Sequence, residues 1–198
     1  MPKQVDQEGR RRLIAEAVCA LAEEHGLEGV TLRDVAGRAG VSMGAVQRCF
    51  GTKEEMLLFA LHDIGERVTE RVRARLLESP AQSPATVLGH AATEVSLLRE
   101  EHRAEARVWL AFVAQAAVSE SLAGTLRTSY AALQDSFARL IAEAAAPKGP
   151  DPAPDPEREA RALLALADGL TAHVLIGHLT PPQAQDVLHT HLSSLWSR

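Results

Sequence analysis

The sequence predicts an all-α protein, and three observations predict it. The 198 residues hold 34 Ala and 26 Leu against 15 Val and 4 Ile, and Ala and Leu favour helices where β-branched side chains favour strands. Apolar residues recur at threes and fours in one segment after another. Gly, Pro and capping residues stand at the breaks between those segments. The length allows a core that needs no disulfide or metal.

The first helix is expected from about Gln7 to His25, with Leu13, Ile14, Ala17, Val18 and Leu21 on one face and Gly26 at its end. Thr31 and Asp34 form a capping-box pair for a short second helix, which Ala39-Gly40-Val41 stops. Ser42 caps a short third helix ending near Cys49. Thr52 and Glu55 make another capping box, opening a long fourth helix striped by Leu57, Leu61, Ile64, Val68, Val72 and Leu76. Ser79-Pro80 and Ser83-Pro84 end it. Further helices are expected at about 84–98, 101–118 and 121–146. Pro147 to Pro156 holds five prolines in ten residues and reads as an extended loop. Two last helices follow at about 157–177 and 181–197, the second opened by Thr180-Pro181-Pro182-Gln183. That makes about nine helices and no strand.

Composition narrows the function. No apolar run is long enough to span a membrane, and Met1 to Arg12 has no secretory apolar stretch. Two cysteines, Cys19 and Cys49, do not make a disulfide framework. A cytoplasmic protein without a membrane partner is expected. The sequence has no nucleophile–base motif, no phosphate-cradling glycine loop and no His-x-x-x-His spacing. No catalytic residue, metal site or cofactor is therefore assigned, and a non-enzyme is expected. The net charge of −5 does not mark a nucleic-acid binder, and residues 1–60 are near neutral with 8 basic and 9 acidic residues. A case for DNA must rest on where individual cations stand.

Residues 31–50 supply that case. Two short helices flank a tight turn at Gly40, which is helix-turn-helix spacing. Ala36 is small where the helices cross, and Val35, Val41 and Val46 supply the apolar contacts. The second helix offers Met43, Gly44, Ala45, Gln47 and Arg48. Small Gly44 and Ala45 allow close approach to a major groove, where Gln pairs with adenine and Arg with guanine. Arg10, Arg11 and Arg12 stand where they could meet phosphates. So does Lys53, at the start of the fourth helix.

Residues 12–57 resemble the DNA-binding domain of the tetracycline-repressor (TetR) family. The resemblance is carried by Ile14, Ala17, Gly26, Thr31, Val35, Ala36, Ala39-Gly40-Val41-Ser42, Gly44, Phe50, Lys53-Glu54 and Leu57. Gln47 stands where the family commonly has Tyr, and Cys49 where it has His or Tyr. The resemblance implies a helix-turn-helix domain at 1–53 and a helical ligand-binding and dimerisation domain at 54–198. It implies a homodimer on a palindromic double-stranded DNA operator, released by a small molecule. The candidate DNA contacts are Arg11, Arg12, Thr31, Arg33, Ser42, Met43, Gly44, Ala45, Gln47, Arg48 and Lys53. The last two helices would form the dimer interface through Leu164, Leu175, Leu188, Leu192 and Leu195.

Aromatic side chains concentrate in the middle of the second domain, and aromatics line small-molecule pockets. The candidate ligand residues are Leu98, His102, Trp109, Phe112, Tyr130, Leu133, Phe137, Asp168 and His173. Asp168 is a carboxylate in an otherwise apolar helix. Two alternatives keep DNA binding without a small molecule: control by a protein partner, and redox control through Cys49.

Overall fold

The computed structural model describes residues 2–78, 83–145 and 155–196, with side chains described from residue 7. Among these residues there are nine α-helices, one 3₁₀ turn and no strand. The helices are α1 (Pro2–His25), α2 (Leu32–Arg38), α3 (Met43–Cys49), α4 (Lys53–Glu78), α5 (Pro84–Val95), α6 (Arg103–Ala116), α7 (Glu120–Ala144), α8 (Pro156–Leu175) and α9 (Pro181–Ser194). The 3₁₀ turn, Glu100–His102, precedes α6.

The chain divides into two compact units. The first comprises residues 1–67 and 107–126, and the second residues 68–106 and 127–198. Helices α4, α6 and α7 each supply residues to both. The sequence-based cut at 53/54 falls inside the first unit.

In the first unit α1, α2 and α3 pack on one another. Ile14, Val18, Val30, Val35, Val46 and Phe50 are buried to within 1% of full enclosure. The stop after α2 shows why its sequence reads as a turn. Gly40 has φ +65°, which L side chains rarely adopt. Val41 N–H donates to the Ala36 carbonyl at 3.0 Å and Gly40 N–H to Gly37 at 3.3 Å, a Schellman closure. Gly29 answers a different need. A Cβ there would lie 2.8 Å from the His25 Cβ and 2.9 Å from its carbonyl oxygen.

The second unit is built around Leu88, Leu98, Phe137, Ile141, Leu163, Leu188 and their neighbours, from α5, α7, α8 and α9. Here the sequence expected one helix over 84–98, and the structure ends it at Val95. Leu97 turns into the left-handed region at φ 49°. That corner buries both Leu97 and Leu98. The Thr171 hydroxyl donates to the freed Ser96 carbonyl at 2.5 Å, so burial outweighs helix propensity. At the start of α8, Asp155 caps and Pro156 takes the first helical position, so Pro156 belongs to the helix rather than the loop. The rest of the proline-rich segment, and the Ser79-Pro80 stop, lie outside the described residues.

Candidate DNA-reading surface and effector unit

Helix α3 is short, capped and rigidly held. The Ser42 hydroxyl accepts from Ala45 N–H at 3.2 Å, and Phe50 N–H closes the far end on Val46 at 2.9 Å. Ala45, Val46 and Cys49 face inward. Met43, Gln47 and Arg48 are exposed on the opposite side. Gly44 lies under the Arg48 guanidinium, 3.5 Å from where a Cβ would sit. The outward face is therefore one thioether, one amide and one guanidinium over a low surface. This is the arrangement a major groove accepts.

The remaining DNA candidates divide by what holds them. Arg33 is exposed on α2, and neither it nor Arg48 has an ion pair or hydrogen bond among the described residues. Thr31 caps α2 through Asp34 N–H at 3.2 Å. Its hydroxyl donates to the Asp34 carboxylate at 2.6 Å, so the capping box closes on the hydroxyl rather than on the backbone. Arg12 is exposed beside Glu8 at 3.7 Å. Lys53 opens α4 as expected, and its ammonium donates to the Glu28 carbonyl at 3.3 Å. Arg11 differs from the rest: its guanidinium lies over the rings of Phe50 and Phe59. Sequence reasoning missed a further feature. Arg38 grips Glu24 with two hydrogen bonds of 2.9 and 2.7 Å, tying α2 to α1. The hydrogen bond from Arg38 holds the Glu24 carboxyl below its usual range, and the same bond raises Arg38.

The candidate ligand residues fall in both units. Trp109 and Phe112 belong to the first, where Phe112 is fully enclosed. Leu98 and Phe137 are core residues of the second unit, and Tyr130 and Leu133 pack against that core. The structure joins Tyr130 to Asp168 by a short hydrogen bond from α7 to α8, the phenol donating. His102 is buried, and its Nδ1 has no partner among the described residues. His173 is exposed, with its ring 4.9 Å from that of His178. A crevice beside Leu98 is lined also by Arg99, Arg103, Thr171 and Leu175, and holds about 10 Å³, the space of a single water.

The candidate dimer leucines sit largely inside the protomer. Leu164, Leu188, Leu192 and Leu195 are each at most 7% exposed, and lie in the unit's own core. Leu175 is half-buried at the crevice. The helices α8 and α9 bury these faces against each other and against α5, so the leucines are not offered outward. Among the exposed residues of α8, its C-cap and α9, most of them polar, the apolar or small ones include Ala162, Ala165, Gly169, Ile176 and Val187. Cys49 is buried and Cys19 half-buried, and both are free thiols. Among the described residues no three His, Cys, Asp or Glu side chains gather as a metal site. No helix there is long and apolar enough to cross a membrane.

A capped helix-turn-helix with a low outer face, with a second unit that is helical among the described residues, fits a DNA-binding regulator of transcription. The family comparisons agree. A model described as bacterial regulatory proteins, tetR family, matches residues 14–60. One described as BetI-type transcriptional repressor, C-terminal, matches residues 84–197. The chain belongs to the tetR family, with a BetI-type C-terminal domain. The HTH-type transcriptional regulator PksA of Bacillus subtilis is 31% identical over 98% of this chain and 94% of its own length. BetI 2 of Chromohalobacter salexigens is 31% identical over 98% and 92%. A transcriptional regulator from Rhodococcus superposes with TM-score 0.79 at 31% identity, covering 93% of this chain and 95% of its own. A regulator from Saccharomonospora viridis, solved with choline, shares the fold with TM-score 0.80 at 22% identity, covering 94% and 96%.

Proposed function

We propose that the chain is a homodimeric repressor that reads a palindromic operator with α3 and leaves it when a small molecule binds the second unit. The observation that carries the DNA-reading assignment is the outer face of α3, where Gln47 and Arg48 are exposed and Arg48 has no ion pair or hydrogen bond among the described residues. Gln47 takes an adenine edge and Arg48 a guanine edge or a phosphate. Ser42, Met43 and Gly44 cap and open the same helix, and Thr31 and Arg33, at the start of α2, are proposed as further contacts. Arg12 and Lys53 supply phosphate contacts, Lys53 exchanging its carbonyl partner for DNA. Ala45 is mostly enclosed and acts by being small. Two such helices, about 34–36 Å apart in the dimer, would meet successive turns of one groove.

Dimerisation is assigned to the exposed side of α8 and α9. Ile176 is 74% exposed and Val187 42%. Ala162, Ala165 and Gly169 let a partner helix approach closely. For the effector, the supporting feature is the Tyr130–Asp168 pair: a ring and a carboxylate suit a cationic ligand. A ligand releases DNA only by binding the released state better, and a tenfold loss of DNA affinity needs about 1.4 kcal/mol of such preference. The crevice beside Leu98 has room for a single water, so the effector reading rests on the Tyr130–Asp168 pair and not on that crevice. Redox control through Cys49 has less support, because the thiol is only 7% exposed.

The test is selection of duplexes from a random-sequence pool at about 150 mM salt, since protein–DNA affinity depends steeply on salt. A two-fold symmetric consensus supports the reading, and no enrichment over the starting pool would sink it. Titrating the selected complex with choline then tests cationic release. Displacement supports a cationic effector, and an unchanged complex at millimolar choline removes that candidate.

A further inference from the structure

We propose that Arg11 is a positioning residue for DNA recognition, which uses its cation inside the first unit to set the exit of α3 and does not meet a phosphate. This rests on the assignment of α3 as the reading helix. The Arg11 guanidinium carbon lies 4.7 Å from the ring centroid of Phe50 and 4.5 Å from that of Phe59. The two rings are 5.4 Å apart and tilted by 55°, so both address the same cation. Arg11 Nε is enclosed and finds no oxygen acceptor among the described residues. The electron-rich ring faces take that place. The Nη2 end stands 3.9 Å from one oxygen of Glu55. The other oxygen of Glu55 accepts Gly51 N–H at 2.8 Å. Glu55 N–H in turn donates to the Thr52 hydroxyl at 3.0 Å.

These contacts converge on the few residues that end α3 and begin α4. Phe50 is 1% exposed, and its N–H closes α3 on Val46. Gly51 and Thr52 form the turn, and Glu55 ties that turn to α4. Arg11, on α1, thus fixes the residue that follows the reading helix. To reach a phosphate it would have to leave both rings. Lysine is a poor substitute, because an ammonium lacks the flat face that covers two rings at once.

The experiment compares wild type with R11Q, R11K, F59L and the double variant R11Q/F59L. The probes are a duplex selected by wild type from a random pool and a scrambled duplex of equal length, each measured over a salt series. R11Q is expected to weaken the selected duplex about tenfold, to leave the scrambled duplex within about twofold, and to keep the salt slope. R11K should recover little. F59L should act like R11Q, and the double variant should be no worse than the worse single, because both break one contact. If R11Q unfolds too readily to be measured, R11K and F59L carry the same comparison. The proposal is overturned if R11Q lowers the slope by about 0.9 per lost contact and weakens both duplexes equally, or if F59L and R11Q add. A wild type that binds no duplex would overturn the DNA-reading assignment as well, whereas a changed slope overturns only the role of Arg11.

Discussion

Single residues show two kinds of arginine in the first unit. Arg33 and Arg48 have no ion pair or hydrogen bond among the described residues, while Arg11 and Arg38 are engaged within the protein. Sequence alone separates them poorly. Arg11 follows Arg10 and precedes Arg12 in a basic run, and its ring partners stand 39 and 48 positions further on. Gly40 is the opposite case, because the need for a left-handed turn is local and so is its signature. Gly40→Ala is expected to destabilise the first unit by about 1–2 kcal/mol, seen as a lower thermal midpoint with the helical signal of the folded state kept. In the second unit, the hydroxyl of Tyr130 reaches Asp168. Tyr130→Phe leaves that carboxylate without this donor. If Asp168 receives a cationic effector, the substitution should change effector release by several-fold and leave effector-free DNA affinity unchanged, as read by titrating the protein–DNA complex.

Helices were legible wherever their signals are short-range. Ser42, Thr180 and Gln183 cap as their sequence suggests, and the Thr180 box closes in both directions. Helix ends set by burial were not legible. The α5 corner at Leu97 depends on Thr171, 75 residues from its Ser96 partner. Pairing of helices is also where pH acts. Glu24 is held below 4.5 by Arg38, so its contribution to stability is complete above pH 4.5. It is lost as pH falls through the lower folded value, where protonation releases the α1–α2 grip. In Glu24→Gln that pH-dependent part is absent. The stability difference between wild type and variant, followed by denaturant unfolding at several pH values, should be flat above pH 4.5 and shrink below it.

For the whole molecule, the second unit illustrates the limit of helical periodicity. A stripe of leucines at threes and fours says that a face is buried, not what buries it. Leu164, Leu188, Leu192 and Leu195 are buried within the protomer, and the proposed dimer surface is the exposed side of α8 and α9 that carries Ile176 and Val187. The two faces make opposite predictions. Leu188→Ala should cost about 2–5 kcal/mol of stability through the cavity it leaves. Ile176→Asp together with Val187→Glu should leave the fold intact and convert a dimer into monomers in sedimentation. A Leu188→Ala protein that lost only its dimer would contradict this division.

Whether the outer face of α3 reads DNA sequence can be decided by a single comparison. The affinities of wild type and of a Gln47→Ala/Arg48→Ala variant are compared on the selected and the scrambled duplex at one salt concentration. Each base contact of this kind is worth about 1–3 kcal/mol. The variant is expected to stay folded, to lose at least tenfold on the selected duplex, and no longer to prefer it over the scrambled one. A folded variant that keeps the wild-type preference would contradict a reading role for α3, and the reading surface would have to lie elsewhere on the chain.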